Sequence, residues 1–400
     1  MTAALVLYDD ARARAFEPFA LTRPLAELRA GGELVRRRWE RVAGTRASAF
    51  AGAAHLATFE EPGSCTAVAG SLAPGTILVN SRCAPALDAR LGDAGAWRLD
   101  GRTVAVRLDA PLDASRLEDG SLTLESLAVA GGAEIRGWWM EDVWDLIRHL
   151  PAMLTADIAV LGPEEGDDPP PQLTVLGEHR AFVARGAYVE PHTLADTTAG
   201  PVLVRRGARI SAFTRLVGPC VIGEHVLVGG GKVAACSIGE HSRVHGELST
   251  TIIIGHTNKA HDGFVGHSVT GRWVNLGAGT ITSNLKNSYG EVTLWTPRGS
   301  ERTGLQFLGS FIGDHAKTGI GTRLTTGCVI GAGANVFGSV MPPKFVPPFA
   351  WGDAPPFADF ELRKFLEVAE RVMQRRGVAL SAGARRALEA AWARRTAFKP

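Results

Sequence analysis

Between Ile210 and Val340 an aliphatic residue recurs every six positions, often followed by Gly. Ile210, Leu216, Ile222 and Val228 keep the step, as do Ile312, Thr318, Leu324, Ile330 and Val336. Six residues are too few for a helix pair or a propeller blade. They suit one side of a parallel β-helix coil, with the aliphatic turned inward and a small residue at the corner. The spacing predicts a β-solenoid over residues 173–345. The rhythm breaks between His256 and Phe307, where His, Asn and Lys replace the Val and Gly that a coil needs. That break is the first place to look for chemistry.

Upstream the pattern changes. Strand-like runs at Ala4 to Tyr8, Thr76 to Asn80 and Thr103 to Leu108 mix with helical stretches at Leu25 to Val42 and Glu141 to Leu154, as in an α/β domain over residues 1–163. Pro24 suits the first turn of the first helix. EEGDDPPPQ, 164–172, reads as an exposed linker. After the solenoid, MPPKFVPPFAWGDAPP, 341–356, is too rich in proline for ladder or helix. Residues 346–400 are thus a Pro-rich segment and a helical tail, with Phe360, Phe365, Leu366, Val368, Val372 and Met373 on one face. Gly377 and Gly383 would break the tail into two helices lying against the outside of the solenoid.

The chain has 400 residues, 45% of them hydrophobic, enough for two or three domains. A formal net charge of +2 gives no one-signed surface, so nucleic acid is not an expected partner. Five cysteines lie far apart without a Cys-x-x-Cys pair, against a disulfide framework and for a reducing cytoplasm. No run of about 18 apolar residues occurs, so no membrane span is expected, and the N-terminal apolar run is too short for a signal peptide.

The broken segment, NKAHDGFVGHSVTGRWVNLGAGTITSN at 258–284, resembles the acetyltransferase core of the bifunctional N-acetylglucosamine-1-phosphate uridyltransferase/glucosamine-1-phosphate N-acetyltransferase family. That family's solenoid is a left-handed parallel β-helix of hexapeptide repeats. The matching pieces are Lys259-Ala260-His261, Asn275-Leu276-Gly277-Ala278-Gly279-Thr280-Ile281-Thr282 and Ser283-Asn284-Leu285. The resemblance gives His261 the catalytic-base position and Lys259, Asn275 and Asn284 substrate or acyl-CoA contacts. It places the acyl-CoA groove at Gly319, Ile320 and Gly338. Phe264 and Leu285 stand where the family has tyrosines that touch the sugar phosphate. The resemblance also implies acetyl-CoA as cosubstrate and a homotrimer in which neighbouring chains complete each site.

The chemistry stands without the family. An amino sugar is an ammonium near neutral pH, and its nitrogen attacks a thioester only after a base removes a proton, a task suited to neutral imidazole. Backbone amides at Gly-rich turns would stabilise the oxyanion. A second reading takes His256 and His261, five residues apart, as zinc ligands of a γ-carbonic-anhydrase-like trimer. His225, His241, His245 and His315 read more simply as corner residues.

The N-terminal domain lacks the glycine-rich loop of sugar-nucleotide pyrophosphorylases. LYDDARARAFEPFALTRPLAELRAG, 7–31, with Asn80-Ser81-Arg82 is similar instead to divergent nucleotidyltransferase domains fused to acetyltransferases. The resemblance implies nucleotide or phosphate contacts at Asp9, Asp10, Arg23, Glu27, Arg29, Asn80 and Arg82. Arginines suit phosphoryl oxygens, which accept bidentate guanidinium bonds, and Asp10 is the candidate ligand for Mg²⁺. The combined expectation is a fused enzyme acting on sugar phosphate, nucleoside triphosphate and acetyl-CoA. It would N-acetylate an amino-sugar 1-phosphate (glucosamine 1-phosphate) and convert the product to an NDP-sugar (UDP-N-acetylglucosamine). The other readings are a chain retaining one of the two activities and a non-catalytic trimeric scaffold.

Overall fold

A computed structural model describes residues 3–128 and 131–398. The chain divides into two compact units: residues up to Asp145 together with Ser381–Ala393, and Leu146–Leu380 together with the residues from Arg394.

The first unit is built on a seven-stranded sheet. Its strands are β1 (Leu5–Tyr8), β2 (Ala47–Ala51), β3 (Thr66–Ala67), β4 (Ile77–Asn80), β5 (Ala96–Leu99), β6 (Arg102–Arg107) and β7 (Ala133–Glu134). They lie in the order β7-β5-β6-β4-β1-β2-β3. β1 pairs parallel with both β2 and β4, and β6 runs antiparallel between β4 and β5. Every residue of β1 is buried, which explains its unbroken aliphatic run. The helix expected over Leu25 to Val42 forms only in its second half, as α1 (Val35–Ala43). Gly31 and Gly32 turn the chain instead, pairing Arg29–Ala30 with Glu33–Leu34. Helix α1 buries Val35, Trp39 and Val42, one stripe at helical spacing, and the Trp39 indole donates to the Cys83 carbonyl at 2.9 Å.

The second unit is the solenoid. Ile210 is in register with Val228, three hexads further on, so successive aliphatics fall on successive faces of one coil. One face is a nine-stranded parallel sheet running from Ala181–Val183 to Phe345–Val346. The hexad aliphatics Ile210, Leu216, Ile222, Val228, Ile312, Leu324, Ile330 and Val336 are all buried. The helix α2 (Leu150–Glu165) belongs to this unit and packs Gly162 against the Phe182 ring of the first coil. Glu165 then pairs with Arg205 at 2.7 Å.

The Pro-rich segment differs from expectation. Phe345–Val346 and Ala350–Gly352 extend the parallel ladders, because Pro347 and Pro348 fall at the corner between them, where no ladder donor is needed. Helix α3 (Leu362–Gln374) buries Phe365, Leu366, Ala369 and Met373, with Phe365 edge-on to Phe349 at 4.9 Å. Helix α4 (Ala382–Ala393) belongs to the first unit. Gly383 does not break it. A Cβ there would sit 2.3 Å from a Glu60 carboxylate oxygen, and the Ser381 hydroxyl donates to Glu60 at 2.7 Å.

Candidate functional site

In the first unit the segments leaving the carboxyl ends of β1 and β4 bring Asp10, Asn80 and Arg82 together. The strand order reverses at this point, since β2 follows on one side of β1 and β4 lies on the other, and open parallel sheets bind ligands at such places. Arg82 Nη2 meets Asp10 Oδ2 at 2.8 Å, and its Nε lies 3.1 Å and 3.0 Å from the two Asp10 oxygens. Asn80 Nδ2 donates to the same carboxylate at 2.9 Å. Arg82 Nη1 reaches Glu141 Oε2 at 3.1 Å, and its guanidinium lies 4.3 Å from the Trp139 ring centroid. Arg12 pairs with Asp142 close by. These groups line a cleft of about 500 Å³ with Arg102, Thr103 and the 120–125 loop.

Glu141, Trp139 and Arg102 were not singled out from the sequence. GWWMED, 137–142, carries the signal of Glu141 and Trp139, two tryptophans beside two acids, but no periodicity ties it to Arg82, more than fifty residues earlier.

Asp9, Arg23, Glu27 and Arg29 are absent from the cleft lining. Arg23 is buried in a two-pronged pair with Glu61 at 2.8 Å and 3.1 Å. Glu27 holds Arg36 at 2.6 Å, and Arg29 donates to the Gly32 carbonyl at 2.8 Å. The charged side chains of Arg23, Glu27 and Arg29 are buried in the first unit. The Asp10 carboxylate does not suit Mg²⁺ as it stands, because both oxygens already face guanidinium and amide donors. Among the described residues no group of three or more His, Cys, Asp or Glu could hold a metal.

Asp9 is buried and accepts the Leu25 amide at 2.8 Å. Burial pushes its carboxyl up to about 6, with Ser81 and the Leu25 amide opposing. The fold therefore holds the proton more tightly than the unfolded chain. That contribution is complete below the ordinary value of 3.8 and is lost as pH rises through about 6. Asp9→Asn keeps the acceptor and removes the charge, so it is expected to stabilise the protein at pH 8 by roughly 3 kcal/mol at most, fading toward pH 4. Urea midpoints at the two pH values check this; an equal difference at both would contradict it.

In the solenoid, His261 is exposed on the turn after Asn258–Lys259. Lys259 is buried, and its ammonium donates to the carbonyls of His261 at 2.6 Å and His245 at 2.8 Å. Burial lowers it to about 8. Lys259 thus fixes the backbone that carries His261. His245 is not a corner residue. It lies in the strand Arg243–Ser249, its Nδ1 2.9 Å from the Gly229 carbonyl and its Nε2 3.0 Å from Asp262.

Asn275 Oδ1 accepts from Asn258 at 2.9 Å. Asn284 Nδ2 lies 2.8 Å from His267 Nδ1, and the His267 ring stacks on Phe307 at 5.3 Å. Burial pushes His267 down, toward the neutral imidazole. His267, unnoticed in the sequence, is therefore held in a fixed orientation beside a candidate ligand. Gly319 N–H donates to the Val336 carbonyl within the ladder, Ile320 is 82% exposed at the neighbouring corner, and Gly338 sits one coil further on at φ 117°.

The zinc reading meets a different geometry. His225, His241, His256 and Trp273 form a ladder of rings at one corner, with centroids 5.0, 4.9 and 4.2 Å apart in turn. All four have positive φ. His256 Nδ1 faces the Arg272 guanidinium at 3.2 Å, a cation where zinc would need none.

Residues 5–164 match the family model described as sugar nucleotidyl transferase. The chain is also similar to a bifunctional sugar-1-phosphate nucleotidylyltransferase/acetyltransferase from Sulfurisphaera tokodaii, 39% identical over 77 residues. That match spans 19% of this chain and 19% of the relative's length. Residues 5–164 contain the cleft residues from Asp10 to Glu141, and both matches are to transferases. The chain thus joins a nucleotidyltransferase-like domain, over the residues that match that family model, to a β-solenoid.

Proposed function

We propose that this chain carries out two consecutive transfers in sugar-nucleotide synthesis. In the solenoid an amino-sugar 1-phosphate, glucosamine 1-phosphate by the resemblance, is N-acetylated from acetyl-CoA. In the N-terminal domain the acetylated sugar phosphate is joined to a nucleoside triphosphate, giving UDP-N-acetylglucosamine or a related NDP-sugar. The observation that carries the reading is the cleft at the carboxyl edge of the parallel strands, where Arg82, Arg12 and Arg102 meet in the family-matched region.

In nucleotidyl transfer a sugar-phosphate oxygen attacks the α-phosphorus and the bond to the β-phosphate breaks, releasing pyrophosphate. The attacked phosphorus passes through a state whose oxygens carry added negative charge. Arg82 is preset there by Asp10, Glu141 and Trp139, so it need not reorganise during reaction. In acetyl transfer the amine attacks the thioester carbonyl, His261 takes the amine proton, and the CoA thiolate leaves. His267 and Asn284 are suited to orient the sugar.

Exposed Ile320 and Phe337 on the outside of the coil favour an acyl-CoA groove closed by a neighbouring chain, hence a homotrimer. All five cysteines are free thiols, in keeping with a reducing cytoplasm. Among the described residues no helix is long and apolar enough to cross a membrane.

Purified protein incubated with acetyl-CoA and a panel of amino-sugar 1-phosphates, and separately with nucleoside triphosphates and the acetylated sugars, is expected to release CoA in the first assay and pyrophosphate in the second. Release of neither product from any pair would refute the proposal. CoA release alone would leave a single-activity acetyltransferase.

A further inference from the structure

Arg102 reaches the Arg82 cleft by way of a tight hairpin. Asp100 and Gly101, at φ 50° and 79°, form the two-residue turn between β5 and β6, a turn that needs positive φ at both central positions. Arg102 is thus the first residue of β6, exposed at the turn. Ala105 stands opposite Val79 in the antiparallel pair of β6 with β4, and the same register carried on brings Arg102 level with Arg82. Both guanidiniums lie over the Trp139 ring, Arg82 4.3 Å and Arg102 5.6 Å from its centroid.

Trp139 is held from several sides. Its strand, Gly137–Trp139, pairs antiparallel with Cys83–Pro85, with Trp139 opposite Cys83. The Met140 amide then donates to the Arg82 carbonyl at 2.9 Å. Gly137 lets the two strands approach closely, since a Cβ there would lie 2.7 Å from the Ala84 carbonyl oxygen. The Trp139 indole N–H donates to Glu141 Oε2 at 2.8 Å, the same oxygen that Arg82 Nη1 reaches at 3.1 Å.

The charged residues lining the cleft are Asp10, Arg12, Arg82, Arg102, Glu125 and Glu141, so the two signs balance. Arg12 pairs with Asp142, and Arg82 with Asp10 and Glu141. Among the described residues Arg102 has no carboxylate partner, only the Trp139 ring. The difference matters for an anionic ligand. A carboxylate holds a guanidinium by neutralising it, whereas an aromatic face holds it through the ring quadrupole and leaves its charge and its N–H donors available.

We propose that Trp139 is a positioning residue that holds Arg102, charged and unpaired, beside Arg82, so that the two guanidiniums together grip the phosphate chain of a nucleoside triphosphate. The inference rests on the nucleotidyltransferase reading of this domain and adds two residues to it, one that touches the phosphates and one that acts through it. Arg82, fixed by its carboxylates, supplies direction; Arg102 supplies the uncompensated charge.

The test is equilibrium binding of inorganic triphosphate to the full-length protein in EDTA, so that only the protein's own cations are read. Arg102→Met, at an exposed position, should weaken binding roughly tenfold or more. Trp139→Leu should cost roughly threefold to tenfold, and Trp139→Phe, which keeps an aromatic face, should recover most of that loss. Thermal midpoints verify that each variant is folded, and Arg102→Met tests the grip even where a Trp139 variant does not fold. In the Arg102→Met background the effect of Trp139→Leu should largely vanish, because the ring then has no unpaired cation to hold. Triphosphate affinity unchanged by Arg102→Met, or an equal loss from Trp139→Leu in both backgrounds, overturns the assignment. Coupling as expected in a protein that releases no pyrophosphate from any nucleoside triphosphate would sink the enzymatic reading and leave the positioning role standing.

Discussion

Arg82→Ala is expected to lower nucleotidyl transfer by roughly 10³-fold or more, on the scale of other arginines that stabilise phosphoryl-transfer charge. Two effects add. The guanidinium is removed from the cleft, and Asp10 and Glu141 lose the cation that now pairs with them while facing an anionic substrate. Arg82→Lys restores charge without the two-pronged contact to Asp10, so it should recover only part of the loss. The measurement is kcat/KM for the nucleoside triphosphate, with acetyl transfer by the same preparation as an internal control. Activity within threefold of wild type would remove Arg82 from the reacting centre. An equal fall in acetyl transfer would mean that the substitution had damaged the whole protein.

This prediction depends on a constellation that was half legible in the sequence. Asp10, Asn80 and Arg82 were named from short motifs, and the sheet brings them together because β1 and β4 are adjacent parallel strands ending at the same edge. Arg23, Glu27 and Arg29 come from the same motif but are buried outside the cleft lining: a Thr-Arg-Pro run gives no sign of whether its guanidinium faces solvent or Glu61. Glu141 and Trp139 were missed because pairing across the fold leaves no periodic mark. The solenoid was the most legible part, since each hexad reports on inward packing within its own coil. Even so, Phe345–Val346 and Ala350–Gly352 escaped notice, because prolines at a corner look the same in sequence as prolines that end a ladder. The destination of α4 was not readable either. Its small-residue face, with Gly383, Ala387 and Ala391 buried, fits many surfaces, and only the fold returns it to the first unit.

His261→Ala is expected to reduce acetyl transfer by roughly 10² to 10⁴-fold, the usual worth of a positioned general base, with the fold intact because the side chain is exposed. The neighbouring His245 makes the test discriminating. Its two ring nitrogens lie within hydrogen-bond distance of the Gly229 carbonyl and Asp262, so neither is free to take a substrate proton. His245→Ala should therefore act indirectly, by loosening Asp262 and the turn that carries His261, and lower kcat by only about tenfold. His245→Gln, which can still donate to one of these acceptors, should recover part of that loss. Lys259 occupies the same turn from beneath, and its two carbonyl contacts hold the His261 backbone whether or not the imidazole is present. A variant lacking His261 should thus retain wild-type acetyl-CoA affinity while losing turnover. The reverse ranking, with His245→Ala inactive and His261→Ala close to wild type, would transfer the role of base to the His245–Asp262 pair and require that pair to open before each proton is taken.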